Sequence, residues 1–226
     1  MNPLCTPLQE IILKQLHSHF LPPKQILESS DVENALQDFE HCLSHIRGKY
    51  FDMPLSLNDF YHSDKYAVFL YYLSRSAFFK GKVELATQVY YLNKILHGLD
   101  LFYEVQMPKV FMLTHPLGTV LGRARYGEYF CAYQNCTIGS TMNEKGEGVY
   151  PTLGRGVVLF AGAKVIGDCA IGDNVIFGAN TFLLNTNVPS NSIVLGIYPT
   201  HRILASKHDV IAEFFHPSYK EVETNM

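Results

Sequence analysis

From Leu153 the stretch LGRGVVLFAGAKVIGDCAIGDNVIFGANTFLL returns an apolar residue at every sixth place: Leu153, Leu159, Val165, Ile171, Phe177 and Leu183. Four places after each stand Val157, Ala163, Cys169, Val175, Thr181 and Asn187, mostly small side chains. Helices repeat every 3.6 residues and strands every 2, so neither explains a count of six. The pattern predicts a parallel β-helix with three short faces per turn, one hexad to a face. Each leading side chain then points inward and stacks on its counterpart in the next coil, about 4.8 Å away, and the narrow interior admits only small residues four places on. Glycine follows the leading residue at Gly154, Gly172 and Gly178, where its backbone freedom is expected to matter. Tyr126, Ala132 and Ile138, with Phe130 and Cys136, obey the same rule upstream, and Leu101, Met107 and Leu113 extend it to an earlier coil. Between these frames GSTMNEKGEGVYPT is too polar and glycine-rich for a strand and predicts a loop.

Up to about His97 the period is helical. Ser30 and Glu33 have the spacing of a capping box, ahead of Leu36, Phe39, Leu43 and Ile46 on one face, with Gly48 placed to end the turn. A second helix is predicted from Asp64 to Phe79, and Gly81 separates it from a third ending near His97 and Gly98. The chain therefore divides into an α-helical domain (1–99), a β-helix domain (100–204) and a tail (205–226) expected to form one short helix before fraying over a neighbouring subunit or a cofactor mouth. The fold class is α+β.

Composition narrows the partners. Among 226 residues the formal net charge is -3, so there is no basic field to hold a phosphate backbone and nucleic acid is excluded. The amino terminus lacks the basic region and apolar core of a secretory signal, and no apolar run reaches the length of a membrane span, which predicts a cytoplasmic protein. The five cysteines have neither disulfide nor zinc spacing and read as compact buried hydrophobes. Between Asp100 and Thr200 the sole histidine is His115, too few for a three-histidine metal site, so no metal is expected.

The hexads resemble those of the left-handed β-helix acyltransferases over about Asp100 to Leu204. A narrower match, THPLGTVLGRARYGEYFCAYQNCTIGST from Thr114, is similar to the serine acetyltransferase segment Asp-His-Gly-x-Gly-Val-Val-Ile-Gly and its continuation through Tyr-Gln-Gly-Val-Thr-Leu-Gly-Gly-Thr. This resemblance implies a left-handed β-helix. It also implies that His115 is the base that deprotonates an acceptor hydroxyl attacking the thioester of acetyl-CoA, a task suited to an imidazole. Asp100, fifteen residues earlier (115 - 100 = 15), falls on the aspartate that orients the histidine. Ser140 and Thr141 match the opening of a protruding loop, and Ala161, Gly162 and Ala163 match a coil segment beside the cofactor. The family implies a homotrimer, or a dimer of trimers, with acetyl-CoA in the groove between neighbouring β-helices.

Three positions depart from that pattern. The aspartate beside the catalytic histidine is Thr114 here, and the Arg-His-Pro after the loop is Val149-Tyr150-Pro151. Without the arginine to pair with its carboxylate, free serine is a poor match, whereas Tyr150 offers a hydroxyl and a ring to a carbohydrate. The expected acceptor is therefore a sugar or sugar-linked hydroxyl in surface polysaccharide assembly, held by Thr114 and Tyr150. The alternatives are serine O-acetylation for cysteine biosynthesis and a non-catalytic trimeric scaffold.

Overall fold

The computed structural model describes residues 2–48, 50–51 and 54–216. Four helices come first: α1 (Cys5–His19), α2 (Ser29–Ser44), α3 (Ser63–Phe79) and α4 (Val83–His97). The α2 cap differs from the expected one. Glu28 is the capping residue, with Asp31 returning its side chain to the Glu28 amide, because Ser29 and Ser30 already lie inside the helix. Asp31 is fully buried and holds Lys80 at 2.8 Å and Lys82 at 2.7 Å, which ties the start of α2 to the turn between α3 and α4.

Helix α3 is apolar almost all round, and Tyr66, Phe69, Leu70, Tyr71 and Leu73 are all buried. Such a helix must be covered on more than one side. It packs between α2 and α4 and against the strand Phe111–Leu113. Polar contacts fix the docking: the Tyr71 hydroxyl donates to the Val105 carbonyl (2.7 Å), and the Cys42 thiol donates to that of Phe111 (3.1 Å).

Beyond Gly98 the chain winds into the left-handed parallel β-helix. The first face stacks Phe111–Leu113, Phe130–Ala132, Val157–Leu159, Val175–Phe177 and Ser192–Leu195, with Arg202–Ala205 antiparallel at its end. The second carries Val120–Leu121, Thr137–Gly139, Lys164–Ile166 and Phe182–Leu184; the third carries Arg125–Tyr126, Thr152–Leu153 and Ala170–Ile171. All six leading residues from Leu153 to Leu183 are buried, as are Val157, Ala163, Cys169, Val175 and Thr181.

Asn187 departs from the frame. It is exposed, its side chain accepts from the Ala170 amide, and Val188 fills the interior instead, bridged to Ile171. The glycine after the leading residue also has a different reason from the expected one. A Cβ on Gly154 would lie 2.7 Å from the Gly172 carbonyl carbon, so the requirement is close backbone stacking rather than an unusual dihedral. Inside the predicted loop, Thr141–Met142 and Gly148–Val149 pair as a two-stranded hairpin.

The described part of the tail packs on its own chain. After Ala205 it runs back along the edge between the third and first faces: Ser206 donates to the Asn191 carbonyl (2.8 Å), and the Asn174 side chain clamps the His208 carbonyl and Val210 amide. Helix α5 (Val210–Phe214) follows, and Phe215, fully buried, bridges to Ile46 just past α2. Arg47 and His216 add backbone bonds across this junction. The rest of the expected tail, 217–226, lies outside the described residues. Among the described residues no helix is long and apolar enough to cross a membrane.

Candidate active site

Strand register locates His115. On the first face Leu113 lies opposite Ala132, and Ala132 opposite Leu159; on the second, Val120 lies opposite Thr137, and Thr137 opposite Lys164. The edge between these faces therefore holds six residues (114–119) in the first coil and four in each of the next two (133–136 and 160–163). His115 sits in the longer corner, exposed, with φ 51°. A non-glycine residue in the left-handed region is disfavoured and needs support. Its amide donates to Asp64 Oδ1 at 3.0 Å, and the same oxygen accepts from the Ser63 hydroxyl at 3.1 Å.

Asp64 was not among the residues singled out from sequence. In the chain it reads as an acidic residue in the first turn of an apolar helix, where the helix dipole favours negative charge. In the structure it is 4% exposed and 51 positions from the backbone it holds.

Asp100 borders the same corner. Its amide donates to the Thr119 carbonyl and its own carbonyl accepts from the Leu121 amide, each at 2.9 Å. The carboxylate, however, is turned to the helical domain: Oδ1 accepts from the Tyr90 hydroxyl and Oδ2 from the Lys94 ammonium, each at 2.6 Å. The contact with His115 that the resemblance implies is not among these bonds. Partial burial pushes the Asp100 carboxyl up, and the bonds from Lys94 and Tyr90 outweigh it, leaving the group below the usual carboxylate range. Near Asp64, His97 is driven the other way. Burial lowers its pKa to about 4 against smaller opposing effects of Asn93 and Asp64.

The other sequence-derived residues fall into two groups. Ala161 and Gly162 lie on the His115 edge two coils further on, in the column that also contains Gln134. Gly162 takes φ 76°, and a Cβ there would meet the Asn180 side chain at 2.4 Å. Ala163 is fully buried, with its methyl inside the prism, so Ala161 alone of the three presents a side chain outward. Thr114 is half-buried beside His115, and its amide bonds the Ala132 carbonyl.

Ser140, Thr141 and Tyr150 belong to the next edge, between the second and third faces, at the base of the hairpin. One hexad of extended chain separates the two edges, roughly 15–20 Å. Within one protomer the structure therefore does not bring Tyr150 to His115, and the Tyr150 ring folds back over Gly148 instead.

Three comparisons bear on this geometry. Residues 150–185 match the family model described as bacterial transferase hexapeptide (six repeats). A serine acetyltransferase of Staphylococcus xylosus is 31% identical over 164 residues, spanning 70% of this chain and 74% of that one. One of Synechococcus elongatus is 37% identical over 108 residues, 47% of this chain and 43% of that protein. The crystal structure of Neisseria gonorrhoeae serine acetyltransferase superposes with a TM-score of 0.61 at 22% identity, covering 80% of this chain and 67% of that one, a likeness of fold.

These relatives overturn the expected sugar acceptor. They are named for serine, although they were matched with Thr114 and Val149 in place. The carbohydrate expectation rested on the family's missing aspartate and arginine, at Thr114 and Val149, and on Tyr150, which the single protomer does not bring to His115.

Proposed function

The chain belongs to the serine acetyltransferase family and is an O-acetyltransferase, and from that premise we propose that it moves the acetyl group of acetyl-CoA to the hydroxyl of L-serine. The observation that carries the reading is the position of His115. It projects from the one corner with two additional residues, at the head of an edge lined below by Ala161 and Gly162. Small residues there leave backbone accessible to a thin pantetheine arm lying along the coils, with its thioester end near the imidazole. A neutral imidazole accepts the proton of the serine hydroxyl as that oxygen attacks the thioester carbonyl, and returns a proton to the departing thiolate.

Asp100 is the proposed orienter of that ring. To act it exchanges Lys94 for the imidazole. The exchange is cheap, because a pair with Lys94 43% exposed is worth only about 0–1 kcal/mol.

A second copy of the chain completes the site in this proposal. The His115 edge and the edge carrying Ser140, Thr141 and Tyr150 flank the same second face, and Val120, Ile197 and nearby Leu117 leave apolar surface exposed on or beside it. Packing this face around a three-fold axis sets one subunit's His115 edge against its neighbour's hairpin edge, forming a homotrimer with acetyl-CoA in each groove. The reaction belongs to the cytoplasm on this reading.

The test is thiol release from acetyl-CoA by the purified chain with a panel of acceptors. Turnover with L-serine is expected. Turnover confined to other hydroxyl compounds overturns the reading.

A further inference from the structure

We propose that Asp64 is a positioning residue, whose carboxylate at the start of α3 holds the His115 backbone in the left-handed conformation that presents the imidazole at the corner. The inference rests on His115 being the base, and its test separates the two.

The backbone ladder on this edge explains why a side chain is needed. In the later coils the amide of the left-handed corner residue donates to a corner carbonyl of the coil before: Asn135 to Leu117, Gly162 to Gln134, and Asn180 to Ala161. Gly118 does the same toward Gly98, where the helical domain hands over to the prism. His115 lies three residues earlier, in the lengthened part of the corner, and its amide goes to Asp64 of the helical domain instead. Elsewhere on this edge the left-handed positions are asparagine or glycine, namely Asn135, Gly162, Asn180 and Gly118, which tolerate that backbone. A histidine takes that backbone less readily than glycine does, and the bond from Asp64 offsets part of the cost.

Asp64 is suited to the task. It is buried, anchored by the Ser63 hydroxyl and set in the first turn of a helix whose dipole favours its charge. A charge-assisted bond to an amide is shorter and stronger than a neutral one. Removing the acceptor leaves a partly buried amide without a partner and lets the corner relax. The helical domain thus sets the aim of a group on the β-helix.

The experiment compares Asp64→Asn, which retains an acceptor oxygen without the charge, with Asp64→Ala, which retains none, both in the full chain and its native oligomer. Two readouts are taken: kcat at saturating acceptor and acetyl-CoA, and fragment-resolved hydrogen exchange over residues 111–120. The expected result for Asp64→Ala is a 10- to 100-fold loss of kcat with the KM for acetyl-CoA within twofold of wild type, and exchange at the corner at least tenfold faster. Asp64→Asn is expected to keep kcat within about threefold and to keep protection at the corner.

An Asp64→Asn chain as slow as Asp64→Ala, or corner exchange unchanged in Asp64→Ala, overturns the proposal. If Asp64→Ala does not fold, exchange in Asp64→Asn decides, and lost protection there counts against it. Exchange is independent of turnover, so failure of the proposed reaction leaves this test intact.

Discussion

The Lys94 ammonium lies 2.6 Å from the Asp100 carboxylate, joining the last turn of α4 to the first strand-like segment of the prism. If Asp100 must leave Lys94 to orient His115, removing the lysine frees it. Lys94→Met is expected to hold kcat at the wild-type value or raise it by up to about fivefold, the equivalent of an exposed pair worth about 0–1 kcal/mol. Asp100→Asn is expected to lower kcat by roughly 10- to 100-fold. Steady-state kinetics on the two variants decide the point, and a Lys94→Met chain as impaired as Asp100→Asn would mean the ion pair itself is required.

His115→Ala removes the proposed base. Loss of general base catalysis costs roughly 100- to 10,000-fold in turnover, while the exposed imidazole contributes nothing to the core. Thiol release should fall by that factor with the oligomer unchanged in sedimentation. Wild-type turnover in this variant would remove the proposed mechanism.

The two halves of the chain differ in how much sequence discloses. Each hexad is filled by contacts with the coils above and below, so a local count from Leu153 to Leu183 suffices to reveal the prism. The frame breaks at Asn187 because this coil is one residue short, so that Val188 lies opposite Ile171 at a separation of 17 where Leu153 and Ile171 are 18 apart, and composition does not signal the shortening. The α2 cap is ambiguous for a similar reason, since Glu28, Ser29 and Ser30 are all able to cap and only the docking of Asp31 on Lys80 and Lys82 selects the first. Asp64 is invisible because its partner is a backbone amide, and a backbone amide leaves no mark in a residue pattern. His115 and the Ala161–Gly162 edge were legible only through resemblance to a family, and the acceptor was misjudged because two substituted positions were weighed above the rest of the match.

Acid sensitivity is expected to trace to His97. Its ring packs edge-on against Tyr66, its Nδ1 lies 2.8 Å from the Asn93 side chain, and Asp64 acts on it from the start of α3. Burial holds its folded pKa at about 4, against about 6.5 when unfolded. Between those values the unfolded chain binds a proton that the folded chain does not, so stability falls as pH falls through that window and the contribution is complete above it. His97→Phe keeps a ring against Tyr66 and should flatten this slope, as read from urea midpoints at pH 7, 6 and 5. An unchanged slope would place the sensitivity elsewhere.

Truncation after Ala205 removes the buried Val210 and Phe215 together with the Asn174 clamp. Burying side chains of this size stabilises by about 1.5–3 kcal/mol each, so the shortened chain should melt several degrees lower. Its affinity for acetyl-CoA should change by no more than about threefold, because the segment follows the edge between the third and first faces and meets the His115 edge only where Phe214 packs near Phe160. Isothermal titration beside a thermal melt tests both halves of this expectation, and weakened binding without lost stability would contradict it.

A stack of coils ordinarily peels from its free end, since each layer touches only the next. Here residues 206–216 carry the bottom layer back to the helices that open the fold, so the last rung is fastened to the first storey and neither end is loose. Heat or denaturant then meets a closed circuit rather than an unravelling ladder, and the prism and its helical cap are bound to give way together.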